Sequence, residues 1–270
     1  MRTLLLLLIP GLLSASGAEP QDPLLKGFDQ MYNLSFPAAH RSFEDWEKAH
    51  PADPRGPVFD AAAYLFSEFD RLRILQSEFF LDDNSFFSMK RLTPDPRAKS
   101  AFDDALSKGK QLSEAVLAKS PDDENALFAL VMRLGLRADY TALIEKRKLD
   151  ALGQVKEARL TAQKLLAIHP DCYDAYLAGG VENYLLSQKL APVRWLLHFS
   201  GAQTDKNAGI AALKVVQAKG TYLKPYAELL LAVAALRDKD KPAARHLLAE
   251  LANRFPNNRL YKEELRKIPG

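Results

Sequence analysis

Cysteine is nearly missing from this chain: Cys172 stands alone among 270 residues. One thiol closes no internal disulfide, so the fold has to rest on its packed core, and an oxidising compartment is permitted but not exploited. Glycine is scarce as well, with 13 residues, which leaves few of the tight turns that a sandwich of short strands needs. Neither sign of charge dominates. A formal net charge of +3 does not make the concentrated basic face that nucleic acid requires, so no nucleic-acid partner is expected. The motifs of the common chemistries are absent too: no glycine loop to cradle phosphate, no nucleophile elbow, no His-Glu-x-x-His pair. His40, His50, His169, His198 and His246 are scattered, with no two at metal-ligand spacing on one helix. No catalytic, cofactor-binding or metal-binding residue is expected, and the chain reads as a non-enzyme.

The N-terminus carries its own signal. Arg2 is the only charged side chain before Glu19, and Leu4 to Leu8, Ile9, Leu12 and Leu13 form a short apolar run. Small residues follow, and Ser16 and Ala18 fit cleavage after Ala18. The run is too short to cross a bilayer. No cysteine stands at the cleavage site, as a bacterial lipoprotein would require. The expectation is a signal peptide over 1–18 and one helical domain over 19–270, periplasmic or secreted, with no transmembrane helix in the mature chain.

Leucine and alanine, both good helix formers, dominate what remains. A punctuation recurs in the pattern: a helical stretch runs into a proline, then Asp or Asn, and a new helix begins. It occurs at His50-Pro51-Ala52-Asp53, Ser120-Pro121-Asp122-Asp123, His169-Pro170-Asp171 and Phe255-Pro256-Asn257-Asn258. Proline disfavours helical backbone in the residue before it, which stops one helix. The Asx side chain then caps the free amides of the next. Asp171 with Asp174 resembles a capping box with a shorter carboxylate in place of Glu. Helices are expected near 57–79, 97–119, 123–137, 140–168, 173–187, 191–199 and 205–218, with an irregular stretch from Leu81 to Pro96.

The cleanest unit is the last. Tyr226 to Leu236 is apolar nearly throughout, Asp238-Lys239-Asp240 makes a polar turn, and Lys241 to Arg254 carries Ala244, Leu248 and Leu251 on one stripe. Ala232, Ala244, Leu248 and Pro256 stand where the tetratricopeptide repeat has its small, small, large-apolar and closing residues, and this segment resembles that family. Gly27, Ala39, Phe43 and Pro51 give a similar match near the start, with Trp46 where alanine is usual. The middle departs from the family period of about 34 residues. From about Ala61 onward, roughly three quarters of the chain, the sequence is similar to a group of exported bacterial tetratricopeptide-repeat proteins. The segments that carry this are Ser77 to Phe80, Arg137 to Lys146, Gly180 to Leu186, Arg194 to Leu197 and Gly201 to Lys206. The resemblance implies an all-α, right-handed stack of antiparallel helix pairs with irregular long helices in the middle. It brings no activity with it.

Two aromatic groupings are the binding candidates. Phe59, Phe66 and Phe69 fit a helical core stripe, whereas Phe86 and Phe87 fall in the irregular stretch. Arg194-Trp195-Leu196-Leu197 follows Pro192 and stands near Tyr184. His169, Asp171, Cys172 and Asp174 gather acid, base and thiol, but the helix punctuation already accounts for all of them except the thiol. The reading is an exported scaffold that binds a protein or peptide on the concave face of the stack, with Phe86, Phe87, Tyr184, Arg194 and Trp195 as candidate contacts. The alternatives are a small-ligand pocket or enzyme site between the central helices, and a peripheral membrane protein.

Overall fold

The computed structural model describes residues 22–74, 92–187 and 205–268. The expected signal peptide, Phe86, Phe87, Arg194, Trp195 and the expected helix at 191–199 lie outside these residues. Among the described residues there are eleven α-helices and no strand. In chain order they are α1 (Pro23–Tyr32), α2 (Phe36–Ala49), α3 (Arg55–Arg71), α4 (Pro96–Leu117), α5 (Glu124–Asp139), α6 (Lys148–Ile168), α7 (Tyr176–Ser187), α8 (Lys206–Lys219), α9 (Lys224–Arg237), α10 (Lys241–Arg254) and α11 (Arg259–Lys267). Each packs against the next, and α3 also packs on α5. The chain is therefore an all-helical array of sequential neighbours. No described helix is long and apolar enough to cross a membrane.

The punctuation works as helix-capping chemistry at three of its four positions. Asp53 accepts from the amide of Arg55 at 2.9 Å, Asp123 from Ala126 at 2.9 Å, and Asn258 from Leu260 at 3.0 Å. At the fourth, the expected capping box of Asp171 and Asp174 does not form. Asp174 turns away from its own helix and accepts the backbone amides of Thr221 and Tyr222 at 3.1 and 3.0 Å on Oδ2, and of Leu223 at 3.0 Å on Oδ1. Long-range amides outcompete local ones because the free amides ahead of α9 are brought against it by the packing of α8 on α7.

Two further expectations are corrected. The helix expected at 57–79 ends at Arg71. Arg73 takes a left-handed conformation (φ 56°), the amide of Ile74 reaches back to the carbonyl of Phe69 at 2.9 Å, and the Ile74 side chain is buried. That is a Schellman stop with an arginine in the usual glycine place. Leu34 and Lys239 end α1 and α9 the same way, so the scarcity of glycine does not prevent sharp turns. The helix expected at 140–168 is two pieces. Tyr140–Ile144 is a π-turn, Lys146 is left-handed (φ 59°), and α6 starts at Lys148. The Tyr140 ring, stacked on Phe102 at 4.9 Å, is buried at this break.

Small residues sit where helices touch. Ala232, Ala244 and Leu248, the positions that carry the repeat pattern, are all buried. Gly209 of α8 lies so close to α7 that a β-carbon there would fall 2.6 Å from the amide nitrogen of Tyr184. Glycine is required at that contact by backbone approach, not by an unusual torsion.

The C-terminal helices return to the N-terminal ones. Asn258 donates to the carbonyl of Tyr32 at 2.7 Å, and the Asn257 amide donates to Asn33 at 2.9 Å. Arg259 pairs with Asp70 at 2.7 Å and Arg73 with Glu263 at 3.3 Å. Phe255 of the last punctuation packs on Tyr32, ring centroids 5.5 Å apart. The C-terminal and N-terminal helices thus meet at a seam between α1, α3 and α11.

Candidate functional site

Between these helices lies an open, largely apolar pocket. Six helices and the segments just ahead of α7 and α9 line it. Helix α1 supplies Phe28, Met31 and Tyr32; α3 supplies Ala62 and Phe66; α6 supplies Val155 and Ala158; α7 supplies Leu177, Ala178 and Val181. Helix α5 contributes most. Val131, Met132, Gly135, Leu136, Ala138 and Asp139 recur at helical spacing along its inner face. A β-carbon on Gly135 would meet nothing within 4 Å, so that glycine leaves room in the pocket rather than admitting a neighbouring helix.

The 220–223 loop organises one wall. Asp174 holds three of its amides, and the Tyr32 hydroxyl donates to the Tyr222 carbonyl at 3.1 Å. The Tyr222 ring inserts among Phe28 and Phe59, with centroids 5.2 and 5.0 Å away. This anchoring delivers Tyr226, in the first turn of α9, to the pocket opposite α5. There its hydroxyl donates to the carboxylate of Asp139.

Asp139 is the polar centre of the pocket. It is part-buried and lines the pocket. Burial raises its pKa to about 7, against which the Tyr226 hydrogen bond acts only weakly. The Tyr226 hydroxyl is pushed well above its ordinary value, first by burial and then by the neighbouring Asp139 charge, and remains a donor. Asp174 is also raised, because burial outweighs its three amide bonds. No lysine, arginine or histidine is among the described lining residues.

A second recess follows the seam and shares Met31, Tyr32, Phe66 and Tyr226 with the central pocket. Its charged rim is already committed to the Asp70–Arg259 and Arg73–Glu263 pairs, and its Asn258 is spent on Tyr32. The central pocket combines apolar space with a lining carboxylate, Asp139, that no ion pair among the described residues engages.

Of the sequence-derived candidates among the described residues, Tyr184 is 2% exposed. It is packed at the α7–α8 contact beside Gly209 and is not among the pocket residues. Phe59 and Phe69 are core, while Phe66 lines the pocket. Cys172 is not an activated thiol: burial first, then Glu124, pushes its pKa up to about 12. His40 bonds Asp60 at 2.5 Å, His50 stacks on Trp46 with centroids 3.8 Å apart, and His169 Nε2 lies 2.8 Å from the Asp122 carbonyl. Each of these rings is engaged in packing between or within helices. No described group of His, Cys, Asp and Glu is arranged to hold a metal ion. Sequence reasoning missed Asp139 and Tyr226. The available signal was an acid on the apolar face of α5, eight residues beyond Val131.

Set against models of known protein families and against curated proteins, the chain matches no family model and no curated protein.

Proposed function

We propose that this chain is an exported helical-repeat protein of the tetratricopeptide kind, a right-handed stack of antiparallel helix pairs, that binds a small apolar ligand in its central pocket. The observation that carries this reading is the apolar pocket lined by six helices and holding one carboxylate–phenol pair. An open concave face would favour an extended peptide. Here the apolar surface is gathered in a local recess among six helices, and a compact occupant fits it better. The pocket performs binding: it desolvates an apolar body and orients it by one polar contact. No nucleophile, activated thiol or metal cluster accompanies it among the described residues.

The test is titration with a neutral naphthyl fluorophore that brightens in apolar surroundings. The wild-type protein is expected to bind it at one site. Gly135→Leu fills the pocket with side chain, and removing a mid-helix glycine favours α5 by up to about 1 kcal/mol, so the variant should fold. Binding is expected to weaken at least tenfold with no loss of thermal stability. Equal binding by both proteins would overturn the reading.

A further inference from the structure

The ligand's chemical class is written into the pocket wall, an inference that rests on the pocket reading above. Four aromatic rings form a continuous arc across α1, α3 and α9. Phe28 and Tyr32 have centroids 6.0 Å apart, Tyr32 and Phe66 6.1 Å, and Phe66 and Tyr226 5.5 Å. All four rings line the same space as Asp139. Tyr226 belongs to the arc and also donates its hydroxyl to the Asp139 carboxylate, so the arc ends on the acid.

Aromatic faces carry negative quadrupole potential and attract cations, more strongly where water is excluded. A carboxylate accepts as many as four hydrogen bonds, and a single phenol donor leaves the rest open. The charges on the described wall all have one sign. Asp139 faces the space, Asp174 stands beside it with its oxygens on backbone amides, Tyr32 and Tyr226 are neutral donors, and no basic side chain is present. An anionic head would meet two acids and no cation. A neutral molecule would leave Asp139 short of donors at the cost of a buried, under-bonded acid.

We propose that the pocket selects an apolar molecule ending in a protonated amine, with the ammonium on Asp139 against the Phe66–Tyr226 end of the arc and the apolar tail along α5 and α7. The contact is a charge-assisted hydrogen bond in a water-poor site, and it forms fully only with Asp139 ionised. The titratable groups facing Asp139 are Tyr226 from α9, Tyr32 from α1 and Asp174 from the segment ahead of α7; the described lining residues of α3, α6 and α7 bring none. Ammonium binding therefore strengthens as pH rises from 5 to 8, and a neutral ligand of equal size shows no such trend.

Calorimetric titration with octylamine, octanol and octanoate, equal in tail and different in head, tests this on the intact protein. Octylamine is expected to bind at least tenfold tighter than octanol at pH 8, with octanoate weakest, and to lose most of that advantage at pH 5. Asp139→Asn should abolish the advantage of octylamine over octanol at pH 8. Octanol binding as tightly as octylamine, or octanoate binding best, would overturn the ammonium assignment and leave the apolar pocket standing. If none of the three binds, both readings fall.

Discussion

Asp139 is a carboxylic acid kept in the body of the protein with one phenol for company, and its energetics follow from that. A raised folded-state pKa means that the folded protein holds a proton the unfolded chain has released. From about pH 4, where the unfolded group ionises, to about pH 7, where the folded one does, stability falls as pH rises. At about 1.4 kcal/mol per unit the full loss is on the order of 4 kcal/mol. Asp174 contributes in the same direction. Asp53 and Asp103 are lowered by their partner cations and bonds against the opposing effect of burial, so they act with the opposite sign and below this window. Asp139→Asn preserves an acceptor for Tyr226 and cannot ionise. It is expected to match wild type in melting temperature near pH 4 and to exceed it near pH 8. A wild-type protein whose stability is level across that range would show that Asp139 is not buried as described.

Elements here are held as much by distant side chains as by their own sequence. Helix α9 begins after a loop whose three amides all point at Asp174, so the start of α9 is capped by a residue from another helix pair. Removing that acid strips three charge-assisted bonds at once. It also frees Tyr222 from its place among Phe28 and Phe59. Asp174→Ala is expected to cost on the order of 3 kcal/mol in urea unfolding, with faster hydrogen exchange at 221–226 before anywhere else. An unchanged midpoint would mean that the loop holds itself. The π-turn after α5 belongs to the same scale. It interrupts what the apolar pattern alone would continue as one helix, and the turn immediately follows Asp139.

At the scale of the molecule, the seam joins the last helix to the first and third. Its exposed pairs contribute little, since ion pairs in water are worth no more than about 1 kcal/mol each. Asn258 matters more. It is 4% exposed, caps α11 through Leu260 and holds the Tyr32 carbonyl. Asn258→Ala should cost about 1–3 kcal/mol, from the lost cap and the abandoned carbonyl, and should speed hydrogen exchange at the end of α1 and in α11. Arg259→Ala should change neither by a comparable amount. If Arg259 proves the costlier substitution, charge rather than burial holds the seam.

The sequence by itself determined that the protein is helical, and most of where its helices stop. Proline before an Asx cap, and leucine and alanine at helical spacing, act through neighbours a few residues away and are legible without knowing the fold. The buried Ala232, Ala244 and Leu248 were readable for the same reason. What lay beyond the sequence was every relation over long separations. Asp174 looks like a local cap until α8 and α9 arrive beside it. Arg73, Leu34 and Lys239 do not announce left-handed stops; at Arg73 it is the burial of the following Ile74 that accompanies the stop. Asp139 and Tyr226 are 87 positions apart in the chain, and neither pattern nor spacing pairs them. Only the packed structure brings α5 and α9 to one space, and it is burial there that turns an ordinary acid on a helix face into a carboxylate that needs a donor.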